Sequence, residues 1–385
     1  MALKYLYVPS GYKAGKTYGV LPNEAAADLD FVRSTTATRI NADGLIETMG
    51  NNVPRLDYTD GSCPTLLTEP ESTNLVEYSE DFSQWDKING GTGINPVIST
   101  GFSAPDGTQG ASRVVFDLNG GTTTSDFSRL RFLNVAATTP TLTIFIKSNN
   151  SSTQQLNLSY GGGETGLVTA KPNEWSRVEV QTTSIGSFDY RLELRGSITT
   201  DDVADVLIWG AQAENEQYAT TYISTSGATV TRSADTGVIS GDLSSYINSS
   251  EGVLEIKAKA LFNGTPDARI GLSDGTLDNR VTLSWRENVN KMSIFMKVNG
   301  SNVLDGGAVE FENFYGHDQS EMATFKIKWK SGDIQVKLNG TVVLTDTSSF
   351  SGLVLNELSF NRGSALNLFE GNVQYIKVYD SITDF

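Results

Sequence analysis

From Leu142 onward the chain is built of short runs that alternate apolar and polar residues, each closed by a polar turn: LTIFIK, QQLNLSY, WSRVEVQTT, FDYRLELR and DVLIWGAQ. Successive residues of a strand point to opposite faces, so such a run suits a half-buried strand and leaves a helix without a continuous apolar stripe. In WSRVEVQ, Val178 and Val180 alternate with Arg177, Glu179 and Gln181. A second and stronger series follows the polar linker Ser224 to Asp235: VLEIKAKAL, RVTLSW, KMSIFMKV, TFKIKWK, DIQVKLNGTVVLT and VQYIKVYD. Within it, Ile334 to Leu344 reads as a hairpin turning at Asn339-Gly340, because a type I′ turn needs positive φ at both central positions and Asn-Gly tolerates that best. The turn at Lys330-Ser331-Gly332-Asp333 precedes it, which makes a three-stranded meander. With 37 glycines and long apolar stretches at helical spacing hard to find, the expected fold is all-β, with two β-sandwich, jelly-roll-like domains.

Residues 1 to 90 read differently. Short apolar pieces, LKYLYV, DLDFVRS and GLIETM, are broken by Pro9, Gly11, Pro22 and Pro54, and the one credible helical fragment lies around Asn23 to Ala27. Such a segment buries little by itself, so it is expected to be extended and to gain order by wrapping on a partner or on its own copies. At 385 residues the chain has room for two or three domains.

Composition removes several function classes. Twenty-nine basic against 45 acidic residues give a net charge of −16, which repels nucleic-acid phosphates and anionic bilayers. No apolar run is long enough to span a bilayer, and the N-terminal MALKYLYVPSGYKAGK lacks the apolar core and cleavage site of a secretory signal. The expectation is therefore no nucleic acid, no membrane insertion, and synthesis inside a cell. One cysteine, Cys63, and one histidine, His317, largely exclude multi-Cys/His metal sites and Cys/His nucleophile pairs.

Three segments carry a resemblance. The first is DFVRSTTATRINADGLIETMGNNVPRLDYTDG at 30 to 61, similar to an F-x-R-x-x-x-A-T-R-x-N-x-x-G-L-I-E element. The second is RLDYTDGSCPTLLTEPESTNLVEYSEDFSQW at 55 to 85, similar to R-x-D-Y, then C-P-x-L-L-x-E-P-x-x-T-N-L, then S-E-D-F-x-x-W. The third is LIWGAQAENEQYATTYISTSGATVTRSAD at 207 to 235, similar to W-G-A-Q-x-E…A-T-S-Y-I-x-T…V-T-R-x-A-D. In that order they resemble segments of structural proteins of tailed bacteriophages, a family of fibres, spikes, head fibres and capsid decorations. The last 155 or so residues resemble a concanavalin-A-like or laminin-G-like sandwich, through FKIKWKSGDIQVKLNGTVVL and the closing FEGNVQYIKVYDS.

The resemblance implies a virion-attachment and oligomerisation region over 1–75, a carbohydrate-binding-module-like sandwich over 76–225 and a concanavalin-A-like or laminin-G-like sandwich over 236–385. It also implies a homotrimer, contacts of residues 1–75 with other virion proteins of capsid, portal or tail, and display of the sandwiches to host-surface glycans. The protein would be made in the bacterial host cytoplasm and reside on the virion. A capsid decoration that recognises no glycan is the competing reading, and a polysaccharide depolymerase a third.

The residues themselves argue against catalysis. Glycosidases need a carboxylate pair, whereas Glu255 in VLEIKAKAL is accompanied by Lys257 and Lys259 on its strand. His317 has Asp318 beside it and the chain has no G-x-S-x-G elbow. The run Gly161-Gly162-Gly163 lacks the Lys-Ser/Thr of a phosphate cradle and reads as a turn. No cofactor is expected beyond structural calcium, for which PDARIGLSDGTLDN supplies Asp267, Asp274 and Asp278; Asp-Gly turns explain the same residues without a metal. For sugar stacking the candidate platforms are Tyr160, Trp285 and Tyr315, while Trp85, Trp175, Trp209 and Trp329 sit in contexts that suit cores.

Overall fold

The computed structural model describes the chain apart from residues 1, 162–165, 182–185, 265–266, 287–289, 305–316, 364–366 and 383–384. Among the described residues the fold is all-β, interrupted by two short 3-10 turns, Ala25–Ala27 and Phe82–Gln84, and no helix is long and apolar enough to cross a membrane. The chain divides into two compact units. Unit 1 holds Met1–Gly44, Thr48–Pro70 and Ser233–Phe385, and unit 2 holds Leu45–Glu47 and Glu71–Arg232.

Unit 1 pairs an eight-stranded with a five-stranded antiparallel sheet. The larger runs Thr341–Asp346, Ile334–Leu338, Ala323–Lys330, Glu251–Ala260, Gly371–Tyr379, Thr65–Thr68, Arg55–Asp57, with Leu3–Tyr7 also pairing to Gly371–Tyr379. The smaller runs Ser301–Leu304, Met292–Val298, Arg280–Trp285, Ala268–Ser273, Glu357–Ser359. Inward positions such as Ile256, Phe325, Trp329, Ile270, Leu283 and Ile294 form its core. The expected hairpin is present: Leu338 pairs with Thr341, and Asn339 and Gly340 take φ of 48° and 86°.

The N-terminal segment does not form the separate extended region over 1–75 that the sequence suggests. The closing strand Gly371–Tyr379 leaves one flank open after pairing with Glu251–Ala260. Leu3–Tyr7 covers one end of that flank (Tyr7 opposite Ile376) and Thr65–Thr68 the other (Leu66 opposite Val373). Tyr5, Tyr7, Leu29, Phe31, Leu56 and Leu66 are buried in the same core as the C-terminal strands. Pieces too short to build a core of their own thus gain one by completing a sheet edge that would otherwise expose unpaired backbone groups. The ordering argument for a trimer loses its premise, because the apolar pieces are buried within one chain. The fragment expected to be helical reduces to the single turn Ala25–Ala27.

Unit 2 is built of two five-stranded antiparallel sheets, Asp86–Gly90, Phe127–Ala136, Ser187–Arg195, Gln154–Ser159, Leu167–Ala170 and Ile94–Phe102, Ala111–Asp117, Val203–Glu214, Thr141–Ser148, Ser176–Gln181. Its core includes Trp85, which meets Tyr190 edge-on at 5.1 Å and packs on Phe82 and Phe132 at 5.2 and 5.5 Å. The domain bounds drawn from sequence, 76–225 and 236–385, omit the flanking strands Ser72–Asn74 and Val230–Arg232, which pair with each other in this unit. Trp175 departs from its expected core position: it is half-buried, with Lys147 Nζ 5.1 Å from its ring.

A buried carboxylate gives unit 2 a defined acid response. Glu193 accepts from Arg129 Nε and Arg195 Nε at 2.5 and 2.9 Å and from Asn157 Nδ2 at 3.1 Å. Burial alone would raise its pKa, but the two guanidiniums outweigh burial and hold it below its ordinary 4.5. Burial also lowers Arg129, from so high a value that it stays charged. Asp126 is lowered to about 2, chiefly by the Thr92 backbone N–H and the Thr123 hydroxyl. A carboxylate with a depressed folded-state pKa contributes stability that is present above the unfolded value and is lost as pH falls through the folded one. Calorimetry of the chain should therefore show a unit 2 transition that is level from pH 7 to about 5 and falls below about 4.5, with a shallower fall in Glu193→Gln.

Candidate functional site

The sequence-derived candidates do not converge. Trp285 is fully buried, against Phe369 at 4.6 Å and edge-on to Phe325 at 5.8 Å, so its indole face is not available to a ligand. Tyr160 is 4% exposed and sits edge-on to Phe188 at 6.3 Å. Both lie at strand ends whose side chains turn inward, where aromatic area is worth most in a core. Tyr315 lies outside the described residues, as do Gly162 and Gly163.

The three aspartates are likewise engaged separately. Asp267 pairs with Arg286 at 3.0 Å and Arg269 at 3.3 Å. Asp274 accepts from the Thr276 N–H and hydroxyl at 2.9 and 2.5 Å and from Asn279 Nδ2 at 2.9 Å, the pattern of an Asx turn. Asp278 lends its carbonyl to the Gly300 N–H. Among the described residues no group of three or more His, Cys, Asp or Glu side chains is placed to hold a metal ion, so this trio does not assemble into a calcium site.

The arrangement most suited to a ligand is one that the sequence did not single out. Met292–Val298 and Ser301–Leu304 are joined by Asn299-Gly300, with φ of 50° and 78°, a tight turn that carries Ser301 and Asn302 to the edge of the five-stranded sheet. The segment between Thr341–Asp346 and Glu357–Ser359 runs beside it, held by the Phe350 N–H donating to Ser331 Oγ at 2.9 Å and the Leu355 N–H donating to Ser249 Oγ at 2.9 Å. Between them lies an open groove of about 620 Å³ lined by Val298, Val303 and Phe350 and by Ser301, Asn302, Ser348, Ser349 and Ser351. Phe350 and Val303 pack partly on the core, and the four serines and Asn302 supply hydroxyl and amide groups.

Among the described residues none that lines the groove is charged, in a chain whose net charge is −16. An apolar floor with one aromatic ring and several neutral hydrogen-bonding groups matches a neutral polyhydroxyl ligand, which presents both C–H faces and hydroxyls. The sequence signals were Asn299-Gly300 and the run Ser348-Ser349-Phe350-Ser351-Gly352, each of which reads as an ordinary loop until the fold sets them side by side.

The acidic candidate Glu255 is a fixed structural anion. It lies 3.1 Å from Lys326 Nζ and 3.4 Å from Lys377 Nζ and accepts from the Tyr375 hydroxyl at 2.9 Å. Burial would raise its pKa, but these neighbours hold it below the ordinary value, the opposite of what a general acid needs. His317 lies edge-on to Phe325 at 6.1 Å, and the carboxylate of its neighbour Asp318 is engaged by Ser320.

No family model matches the chain, and no curated protein matches it. Among solved structures, the CBM40 domain of the Ruminococcus gnavus IT-sialidase, bound to alpha2,3 sialyllactose, is similar at 15% identity over 35% of this chain and 78% of that one, with a TM-score of 0.26. The tandem CBM22 domains of Paenibacillus barcinonensis Xyn10C are similar at 9% identity over 80% and 97%, with a TM-score of 0.25. Domains LG4-5 of the mouse laminin alpha1 chain are similar at 10% identity over 69% and 85%, with a TM-score of 0.27. The all-β architecture rests on the strand order of each unit.

Proposed function

We propose that this chain is a structural protein of a tailed-bacteriophage particle, a fibre or spike subunit that displays β-sandwich modules for adhesion to host-surface glycans. The observation that carries this reading is the convergence of the segments that resemble the virion family. Arg33 of the first, Arg55 and Glu69 of the second and Asp235 of the third meet in one buried ionic cluster in unit 1. Residues dispersed over some two hundred positions and joined in one cluster act as a folding unit, which supports a shared architecture rather than a coincidence of short strings.

Adhesion would act through the groove at Phe350. Each contact is shallow and neutral, and several copies on one particle raise avidity without a tight single site. Residues 1–75 would meet other virion proteins through a folded surface, where Tyr18, Val20, Leu21 and Val32 are exposed apolar side chains that suit burial in an interface or a homotrimer. The protein would be made in the bacterial cytoplasm and carried on the virion.

Immunogold labelling of particles from lysing cultures tests the virion assignment, and light scattering of the full chain tests the trimer. On a glycan array the wild type should bind neutral saccharides, and Phe350→Ala should weaken that binding by about tenfold while unit 1 keeps its melting transition. Labelled particles without any glycan binding would replace adhesion by the capsid-decoration reading, and unlabelled particles would overturn the assignment.

A further inference from the structure

The outer face of the five-stranded sheet of unit 1 holds a guanidinium with too few acceptors. Arg269 alternates with the core residue Ile270, faces Ser284 across one strand pair and, through it, Ser293 across the next, and is 4% exposed. Its Nη2 donates to Asp267 Oδ2 at 3.3 Å, whereas its Nε and Nη1 are buried without a hydrogen-bond partner. Ser293 Oγ, in the same row, is buried without one too. Buried donors lacking acceptors are costly enough that native proteins rarely keep them without a water, an ion or a function.

The surroundings deepen the deficit. Arg286 Nη1 donates to the same Asp267 oxygen at 3.0 Å, and Arg362 adds a third positive charge that Arg269 feels along with that of Arg286. Among the described residues one carboxylate thus serves Arg269 and Arg286, both through its Oδ2, its Oδ1 is buried without a partner, and Arg362 has no ion pair. Phe295 lies beneath, 4.2 Å from the Arg269 guanidinium carbon and 5.7 Å from that of Arg286. The side chains of Arg286 and Asp267 are about a quarter exposed and Arg362 is half-buried, so the cluster meets solvent on their side.

We propose that Arg269 and Arg286 form a subsite for the carboxylate of an acidic saccharide, such as a uronic acid. A planar carboxylate has two acceptor oxygens that match the guanidinium fork, and the Phe295 ring offers an apolar base beside it. The saccharide part rests on the adhesion reading above, and the site is distinct from the neutral groove, which lies beyond the other end of Met292–Val298.

Calorimetric titration of the full chain tests this with a uronate-bearing oligosaccharide, its carboxyl-reduced counterpart and inorganic phosphate. The wild type should bind the uronate form about tenfold more tightly than the reduced form. That preference should vanish in Arg269→Met and in Arg286→Gln, the second being a part-exposed position whose change spares the core. Without ligand, Arg269→Met should melt above the wild type, since it removes a poorly paired buried charge while keeping the volume. Equal binding of uronate and reduced forms overturns the subsite and leaves the adhesion reading standing. Phosphate binding as tightly as the uronate form overturns the saccharide assignment of this cluster. Binding of no saccharide, here or at Phe350, overturns both readings.

Discussion

Asp235→Ala should destabilise unit 1 by about 3–5 kcal/mol, the range for removing one partner of a buried ion pair. Asp235 Oδ1 accepts from Arg33 Nη1 at 2.9 Å, and its Oδ2 accepts from the Glu69 N–H at 2.9 Å and from Arg55 Nη2. Arg33, Arg55 and Asp235 have fully buried side chains. Burial by itself would lower the Arg55 pKa, yet the charges of Asp235 and Glu69 raise it above the ordinary arginine value, so the guanidinium stays charged in any accessible solvent. Alanine would leave Glu69 as the remaining carboxylate bonded to Arg55 and strip Arg33 of its bond to Asp235. Urea unfolding of the chain, followed by hydrogen exchange in Leu3–Tyr7 and Gly371–Tyr379, measures the loss. A change below about 1 kcal/mol would mean that the cluster is solvated in solution.

Asn74→Ala should cost unit 2 about 4 kcal/mol or more, because it strands four backbone groups, each worth about 1–3 kcal/mol when buried and unpaired. The Asn74 amide donates to the carbonyls of Ala211 and Ile223 at 3.1 and 2.8 Å, and its oxygen accepts from the N–H groups of Val76 and Ala213 at 3.1 and 3.2 Å. A single fully buried side chain thus stitches the T-N-L element to the W-G-A-Q element. Asn74→Asp keeps the acceptor, loses both donors and places a charge against two carbonyls, so it should be no better than alanine. Calorimetry should show the unit 2 transition shifting down in both variants while the unit 1 transition stays in place. A shared downward shift would show that the two units unfold together.

Both predictions draw on residues that the sequence marks as motif and that the fold uses as internal joints. Glu214, in the same W-G-A-Q-x-E element, is fully buried and accepts from Ser72 Oγ at 2.6 Å and the Thr220 N–H at 3.0 Å. Trp209 packs against Tyr222 at 4.4 Å with the rings tilted by 51°, and the Tyr222 hydroxyl donates to Glu80 at 2.8 Å. The motifs therefore describe how the chain leaves unit 1 after Pro70 and re-enters it at Ser233. Their polar letters are buried partners of one another, which makes them poor guides to where a ligand binds.

The strands were legible because a period of two and the conformational demands of a turn are local properties: Val178 and Val180 face inward, and Asn339-Gly340 reverses the chain, whatever lies elsewhere. Local pattern also sufficed for the all-β class. Tertiary structure alone decided the partners. Whether an aromatic at a strand end is a platform or a core residue depends on what packs over it, so Trp285 and Tyr160 went inside and half-buried Phe350, in an unremarkable serine loop, came to line the groove. Leu3–Tyr7 became a sheet strand because Gly371–Tyr379, more than 360 residues away, had an unpaired flank. Alternation specifies a strand's two faces, but the free edge and the uncovered ring are set by contacts between distant segments, and those exist only once the chain has closed on itself.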